Sequence, residues 1–201
     1  MSVIKHPDQR VAVLMDISNL YHSAKNLYSA RVNFGKVLKE AVGPRKLIRA
    51  IAYVIRTESG EEKQFFEALQ QQGIEIKAKD LQIFPGGMKK GDWDVGMALD
   101  AMGLSKSVDA IVLMTGDGDF VPLITYMKAN SGVQVEIVTF EQSASAKLVE
   151  AADDFLDLSA DKEKFLISSV KSRATTRPIV SRPVVSRPNV RVKKNWIRKL
   201  R

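Results

Sequence analysis

The chain has 201 residues, 45% of them hydrophobic, which is enough for one well-packed domain and too few for two large ones. It has no cysteine, so disulfides, thiolate nucleophiles and cysteine-based zinc sites are excluded and a reducing, cytoplasmic setting is expected. No window nears the ~18 uninterrupted apolar residues of a membrane span, and the opening MSVIKHPDQR lacks the apolar stretch of a signal peptide, so a soluble protein without a membrane partner is expected.

In chain order, Val11-Ala12-Val13-Leu14-Met15 is continuously apolar and predicts a fully buried strand. Comparable strands are predicted over 48–55, 74–79, 110–114 and 133–139, with helical patterns between and after them over 18–28, 61–72, 94–103, 120–130 and 145–151. Strand and helix alternate five times, the signature of parallel strands joined by right-handed crossovers. The expected architecture is therefore α/β, a three-layer α/β/α sandwich around a mainly parallel sheet of five or six strands. Such sheets bind ligands outside the carboxyl ends of their strands.

The texture changes near residue 168. Thr176-Arg177-Pro178, Ser181-Arg182-Pro183 and Ser186-Arg187-Pro188 recur every five residues, and proline both removes a backbone donor and holds its predecessor extended. A disordered or polyproline-like arm without a core is expected over 168–201, after a domain over 1–167. The net charge of +8 is divided along the same line: eleven basic and no acidic residues lie in 168–201, leaving 20 bases against all 23 acids before it. An arm of that charge attracts polyanions by releasing their counterions, which makes Arg182, Arg187, Lys193 and Lys194 candidate nucleic-acid contacts.

Acids fall at or near the expected ligand edge in three places. The first strand runs into Asp16-Ile17-Ser18-Asn19, the fourth into Thr115-Gly116-Asp117-Gly118-Asp119-Phe120, and Lys90-Gly91-Asp92-Trp93-Asp94 opens the intervening helix. On that helix the spacing suggests an apolar stripe of Val95, Ala98, Leu99 and Met102, with Asp94 at its edge and Asp100 nearly opposite, so Asp100 is the weaker candidate. Converging carboxylates repel one another unless a cation compensates, and Mg²⁺ or Mn²⁺ prefers carboxylate and water oxygens. Such an ion activates water and neutralises a phosphodiester. The Gly-rich stretch 85–90 is a candidate substrate flap, with Lys90 as a phosphate contact.

These motifs, with Pro122-Leu123 and the closing Ala151-Ala152-Asp153-Asp154-Phe155, resemble the NYN domain, in particular its LabA-like branch among the PIN-like nucleases, over roughly residues 10–158. The resemblance implies a Mg²⁺- or Mn²⁺-dependent ribonuclease fold acting on RNA. It implies that Asp16 is the acid ending the first strand, Asn19 its orienting neighbour, Asp94 the acid on the intervening helix, Asp117 the acid ending the fourth strand and Asp119 a supporting acid of the same turn. Asp92 stands two residues before Asp94 and leaves that assignment open. Ser18 and Thr115 belong to the same motifs and are candidate substrate contacts.

Each acid also has an ordinary role open to it: Asp16 as a helix cap, Asp117 and Asp119 as a turn and cap, roles compatible with metal ligation. His6 and His22 are lone histidines without a nearby partner in sequence and carry little catalytic signal. The competing function is a non-catalytic RNA-binding or gene-regulatory module that keeps the fold; a nucleotide-binding reading is disfavoured because GxxxxGK[ST] and GxGxxG are absent. Phe65 and Phe66 read as exposed apolar positions compatible with a homodimer.

Overall fold

A computed structural model of the chain describes residues 3–56, 62–83 and 89–168. The first half comprises β1 (Arg10–Asp16), α1 (Ile17–Tyr28), β2 (Ala30–Val32), α2 (Phe34–Val42), β3 (Lys46–Arg56), α3 (Lys63–Gln70), β4 (Glu75–Asp80), β5 (Gln82–Ile83) and β6 (Lys89–Lys90). Then come α4 (Asp94–Leu104), β7 (Ala110–Met114), a 3-10 turn (Gly118–Phe120), α5 (Val121–Ser131), β8 (Gln134–Thr139), α6 (Ala146–Ala151), β9 (Asp154–Asp157), α7 (Lys162–Phe165) and β10 (Leu166–Ser168). Six strands form one sheet in the order β4-β3-β1-β7-β8-β9, and every adjacent pair is parallel. Two antiparallel ribbons, β2 with β10 and β5 with β6, accompany it.

The strand that reads as most apolar is the central one. Side chains alternate across a strand, so Val11, Val13 and Met15 of β1 enter the core shared with α1, α2 and α3, while Ala12 and Leu14 enter the core shared with α4, α5 and α6. All five are fully buried. At roughly 1.5–3 kcal/mol for each large aliphatic side chain buried, this strand anchors both layers, and the expected three-layer sandwich is observed.

The chain builds outward from β1 to β3 and β4 and then crosses back to place β7 on the other side of β1. The direction of winding therefore reverses between β1 and β7, which opens a crevice at their carboxyl ends. The opposite end of the sheet is closed by charge. Arg45, at the turn into β3, is buried against Glu136 of β8, with Nη2 3.0 Å from Oε2, and gives further hydrogen bonds to the carbonyls of Ala41 and Val42. Lys5 joins Glu136 and Asp154 at 3.1 and 3.0 Å, tying β9 to the same corner.

Three expectations need correction. The face of α4 turned to the core is that of Met97 and Ala101, whereas Val95 and Leu99 are 70% and 60% exposed. Phe65 and Phe66 pack against the core and against each other rather than standing free. The helix α2 and the edge strand β9 were not anticipated. Residues 85–88 of the candidate flap 85–90 and the arm positions Arg182, Arg187, Lys193 and Lys194 lie outside the described residues, as does the side chain of Lys90.

Candidate functional site

Asp16 is both the last residue of β1 and the cap of α1: its Oδ1 accepts the Asn19 amide hydrogen at 2.9 Å. A short acid at a strand-to-helix junction satisfies one of the amides that a helix start leaves without a partner. Its other oxygen, Oδ2, lies 3.5 Å from the Thr115 hydroxyl, which donates to it, and the same hydroxyl accepts the Asp117 amide hydrogen at 3.2 Å. Asp117 repeats the cap, its Oδ1 accepting from the Asp119 amide at 2.9 Å. The Asn19 side-chain oxygen accepts from the Gly116 amide at 3.0 Å, so the turns after β1 and β7 are tied twice across the crevice.

A third turn closes on these two. The Gly116 carbonyl accepts from the Ser145 amide at 3.0 Å, and a Cβ at Gly116 would stand 2.7 Å from the Ser143 carbonyl oxygen. Only a residue without a side chain lets the β8–α6 loop pack that tightly on the turn that carries Asp117.

Asp94 reaches the same edge from α4, where an acid in the first turn suits the helix dipole. Its position is set by Trp93, whose indole N–H donates to the Val54 carbonyl at 2.9 Å and whose ring meets Tyr53 edge-on at 5.4 Å. Lys79 from β4 lies 4.3 Å above the indole and donates to the Asp92 carbonyl at 3.1 Å. The ring folds over the first turn of α4, where a Cβ at Gly96 would come within 2.7 Å of it. Sequence reading missed Trp93, Gly96, Lys79 and Tyr53 as site-shaping residues; the Trp93–Gly96 spacing was visible, but its partners come from β3 and β4.

Burial, with added repulsion from Asp94 and Asp117, pushes the Asp16 carboxyl above its ordinary value despite the Asn19 and Thr115 hydrogen bonds. Burial also raises Asp94, and Asp117, Asp92 and Asp119 add to it against the opposing charge of Lys79. The charge of Asp117 thus reaches both Asp16 and Asp94, from two different elements. Asp100 does not belong with these acids. Burial alone would raise its carboxyl, but hydrogen bonds from Lys77 Nζ and Tyr53 Oη, each 2.6 Å, outweigh that and lower it. Asp100 is a strut between α4 and the sheet.

Ser18 is half-buried in the first turn of α1, and Thr115 is fully buried, its hydroxyl occupied between Asp16 and Asp117. Among the described residues, no three carboxylate or imidazole side chains are gathered tightly enough to form a ready-made metal cage. The donor set still suits a hard divalent cation. It offers only oxygen, it carries carboxylates whose charge is penalised by burial and by one another, and Mg²⁺ takes one or two carboxylates while keeping several waters.

The NYN domain family model matches residues 10–159, from β1 to just past β9. The low amplitude and bright protein LabA of Synechococcus elongatus is 24% identical over 119 residues, 56% of this chain and 63% of that protein, so the match spans less than two thirds of the relative's length. The crystal structure of a protein of unknown function from Vibrio parahaemolyticus superposes with a TM-score of 0.74 at 27% identity, covering 82% of this chain and all of that one. The fold is α/β of the PIN-like type, and the chain belongs to the NYN domain family.

Proposed function

We propose that the chain is a metal-dependent ribonuclease that hydrolyses RNA phosphodiester bonds at the carboxyl edge of β1 and β7. The observation that supports this most is that Asp16 and Asp94, at the point where the sheet's winding reverses, are both raised by burial and by the nearby charge of Asp117. NYN and PIN-like nucleases are generally dependent on divalent metals, and the oxygen donors here fit Mg²⁺ or Mn²⁺.

In this reading Asp16, Asp94 and Asp117 hold the ion, and Asp119 supports them from the 3-10 turn. The bound ion would supply an activated water and offset the charge of the scissile phosphate. The chain's own residues set the geometry in advance. Asn19 and Thr115 fix the turns that bear Asp16 and Asp117, and Trp93 fixes the start of α4. Ser18 and Lys90 are the candidates for substrate contact beside these acids, and the arm over 168–201 gathers RNA by charge alone.

The test is cleavage of a single-stranded oligoribonucleotide by the full-length protein in Mn²⁺ or Mg²⁺. Asp117→Asn should slow it by at least about 100-fold, the upper end of what removing even a residue behind the ligands costs a metal site, and EDTA should stop it. Varied RNA left intact by wild type with either ion would refute the nuclease reading in favour of a binding module.

A further inference from the structure

We propose that the outer face of α1 and β2 is a docking track for single-stranded RNA, seating nucleotides that flank the bond to be cut. The proposal rests on the ribonuclease reading for its direction, since it extends the substrate path away from Asp16, but it stands on different residues.

The first observation is a groove of about 560 Å³ lined by Tyr21, Lys25, Asn26, Ser29, Ala30 and Arg31. Its chemistry is that of a nucleic-acid platform. Tyr21 is 40% exposed, held edge-on against His22 at 5.4 Å, with the Lys25 ammonium 5.5 Å from its ring centre. An exposed ring beside cations offers one surface to a base and the other groups to its phosphates, and base stacking of this kind tolerates any sequence. Asn26 adds an amide able both to donate and to accept at a base edge.

The second observation is charge. From Ile17 to Lys39 there is no acidic residue, against Lys25, Arg31, Lys36 and Lys39, in a portion of the chain (1–167) where acids outnumber bases by 23 to 20. The stretch is therefore purely cationic within a net acidic domain, and it begins at the cap formed by Asp16. Ser29, held at φ 50°, turns the chain from α1 into β2 so that Arg31 comes back along the groove. Lys25 lies six residues beyond Asn19 on the same helix, about 9 Å along the axis at 1.5 Å per residue. A strand with its scissile phosphate at Asp16 can thus reach Tyr21 and Lys25 with its neighbouring nucleotides. Stacking on Tyr21 needs an unpaired base, which selects single strands over duplexes.

The experiment measures affinity of the full-length protein for a labelled single-stranded oligoribonucleotide in EDTA, together with kcat and KM for cleavage in Mn²⁺. Tyr21→Ala should raise Kd and KM at least about fivefold, Tyr21→Phe should restore both, and kcat should stay within about twofold, because stacking is removed without change of charge. The pair Lys25→Glu and Arg31→Glu should weaken binding by about tenfold or more and flatten the salt dependence. A duplex of the same sequence should not distinguish Tyr21→Ala from wild type. Unchanged Kd in Tyr21→Ala would overturn the track, and so would an equal loss for duplex RNA or for an acidic polypeptide, which would leave only a non-selective basic surface. The two readings fail separately. RNA left uncut by wild type but bound less well by Tyr21→Ala removes the nuclease and keeps the groove, whereas normal cleavage with normal Tyr21→Ala binding removes the groove alone.

Discussion

On α4, Asp94 and Asp100 are six residues, about one and two-thirds turns, apart and have opposite electrostatic fates. Asp100 is satisfied by Lys77 and Tyr53 and is lowered; Asp94 is half-buried near other acids and is raised. A carboxyl raised in the folded state contributes its full stability below the unfolded value of 3.8 and loses it as pH rises through the folded value. Metal-free Asp94→Asn should therefore melt above wild type at neutral pH, and the two melting curves should converge as pH falls below about 4. Added Mn²⁺ should raise the Tm of wild type and leave that of Asp94→Asn nearly unchanged. Calorimetric melting across pH in EDTA and in Mn²⁺ checks both, and a variant less stable than wild type at pH 7 would contradict the strain described for Asp94.

Among the helices and strands, the seating of α4 decides the shape of the site. Trp93→Phe keeps an aromatic ring over Gly96 but removes the N–H donated to Val54, and it should weaken Mn²⁺ binding by roughly 10-fold, the cost typical of disturbing a residue that orients a metal ligand. Titration calorimetry measures this, and Trp93→Ala binding Mn²⁺ as tightly as wild type would show that the indole places nothing. The same helix shows what sequence could and could not reveal. Asp94 was legible because it follows Gly91 at the mouth of a helix, but α4 is apolar on nearly every side, so its phase could not be read and Val95 and Leu99 took the place of Met97 and Ala101. The strands β1 and β7, and residues 50–55 of β3, were legible because burial on both faces makes them continuously apolar, whereas in β8 the apolar positions are interrupted by Gln134 and Glu136. The strand β9 is an edge of four residues, Asp154–Asp157, with acids at both ends and no such run, and α2 is only nine residues long. The Asp16, Asn19 and Asp117 motifs were legible as short acid- and Gly-rich turns. Their cross-ties through Thr115 and Gly116 were not, since these join positions almost one hundred residues apart.

Over the molecule as a whole, charge is distributed unevenly: acids at the crevice, cations on α1 and β2, and eleven more bases in residues 168–201. Among the described residues no helix is long and apolar enough to cross a membrane. Removing residues 168–201 should weaken binding of single-stranded RNA and lower the slope of log affinity against log salt by about 0.7 for each phosphate that the arm neutralises. Anisotropy titrations over a salt series test this. An unchanged slope would mean that the arm neutralises no phosphates. Tyr21→Ala, which changes no charge, should leave the slope unaltered in the same titrations.

Although β1 lies at the middle of the sheet, it precedes the other five strands of that sheet in the chain. Its ladder on one side is completed by β3, but the other side waits for Ala110–Met114. A growing chain on the ribosome carries Asp16 long before Thr115 and Asp117 exist to meet it, with one edge of its most apolar strand open to mispairing. If the chain cuts RNA as proposed, it would stay inert toward the message being translated until its fourth major strand has emerged, and truncation before residue 110 would leave β1 with one edge unpaired and Asp16 without Asp117.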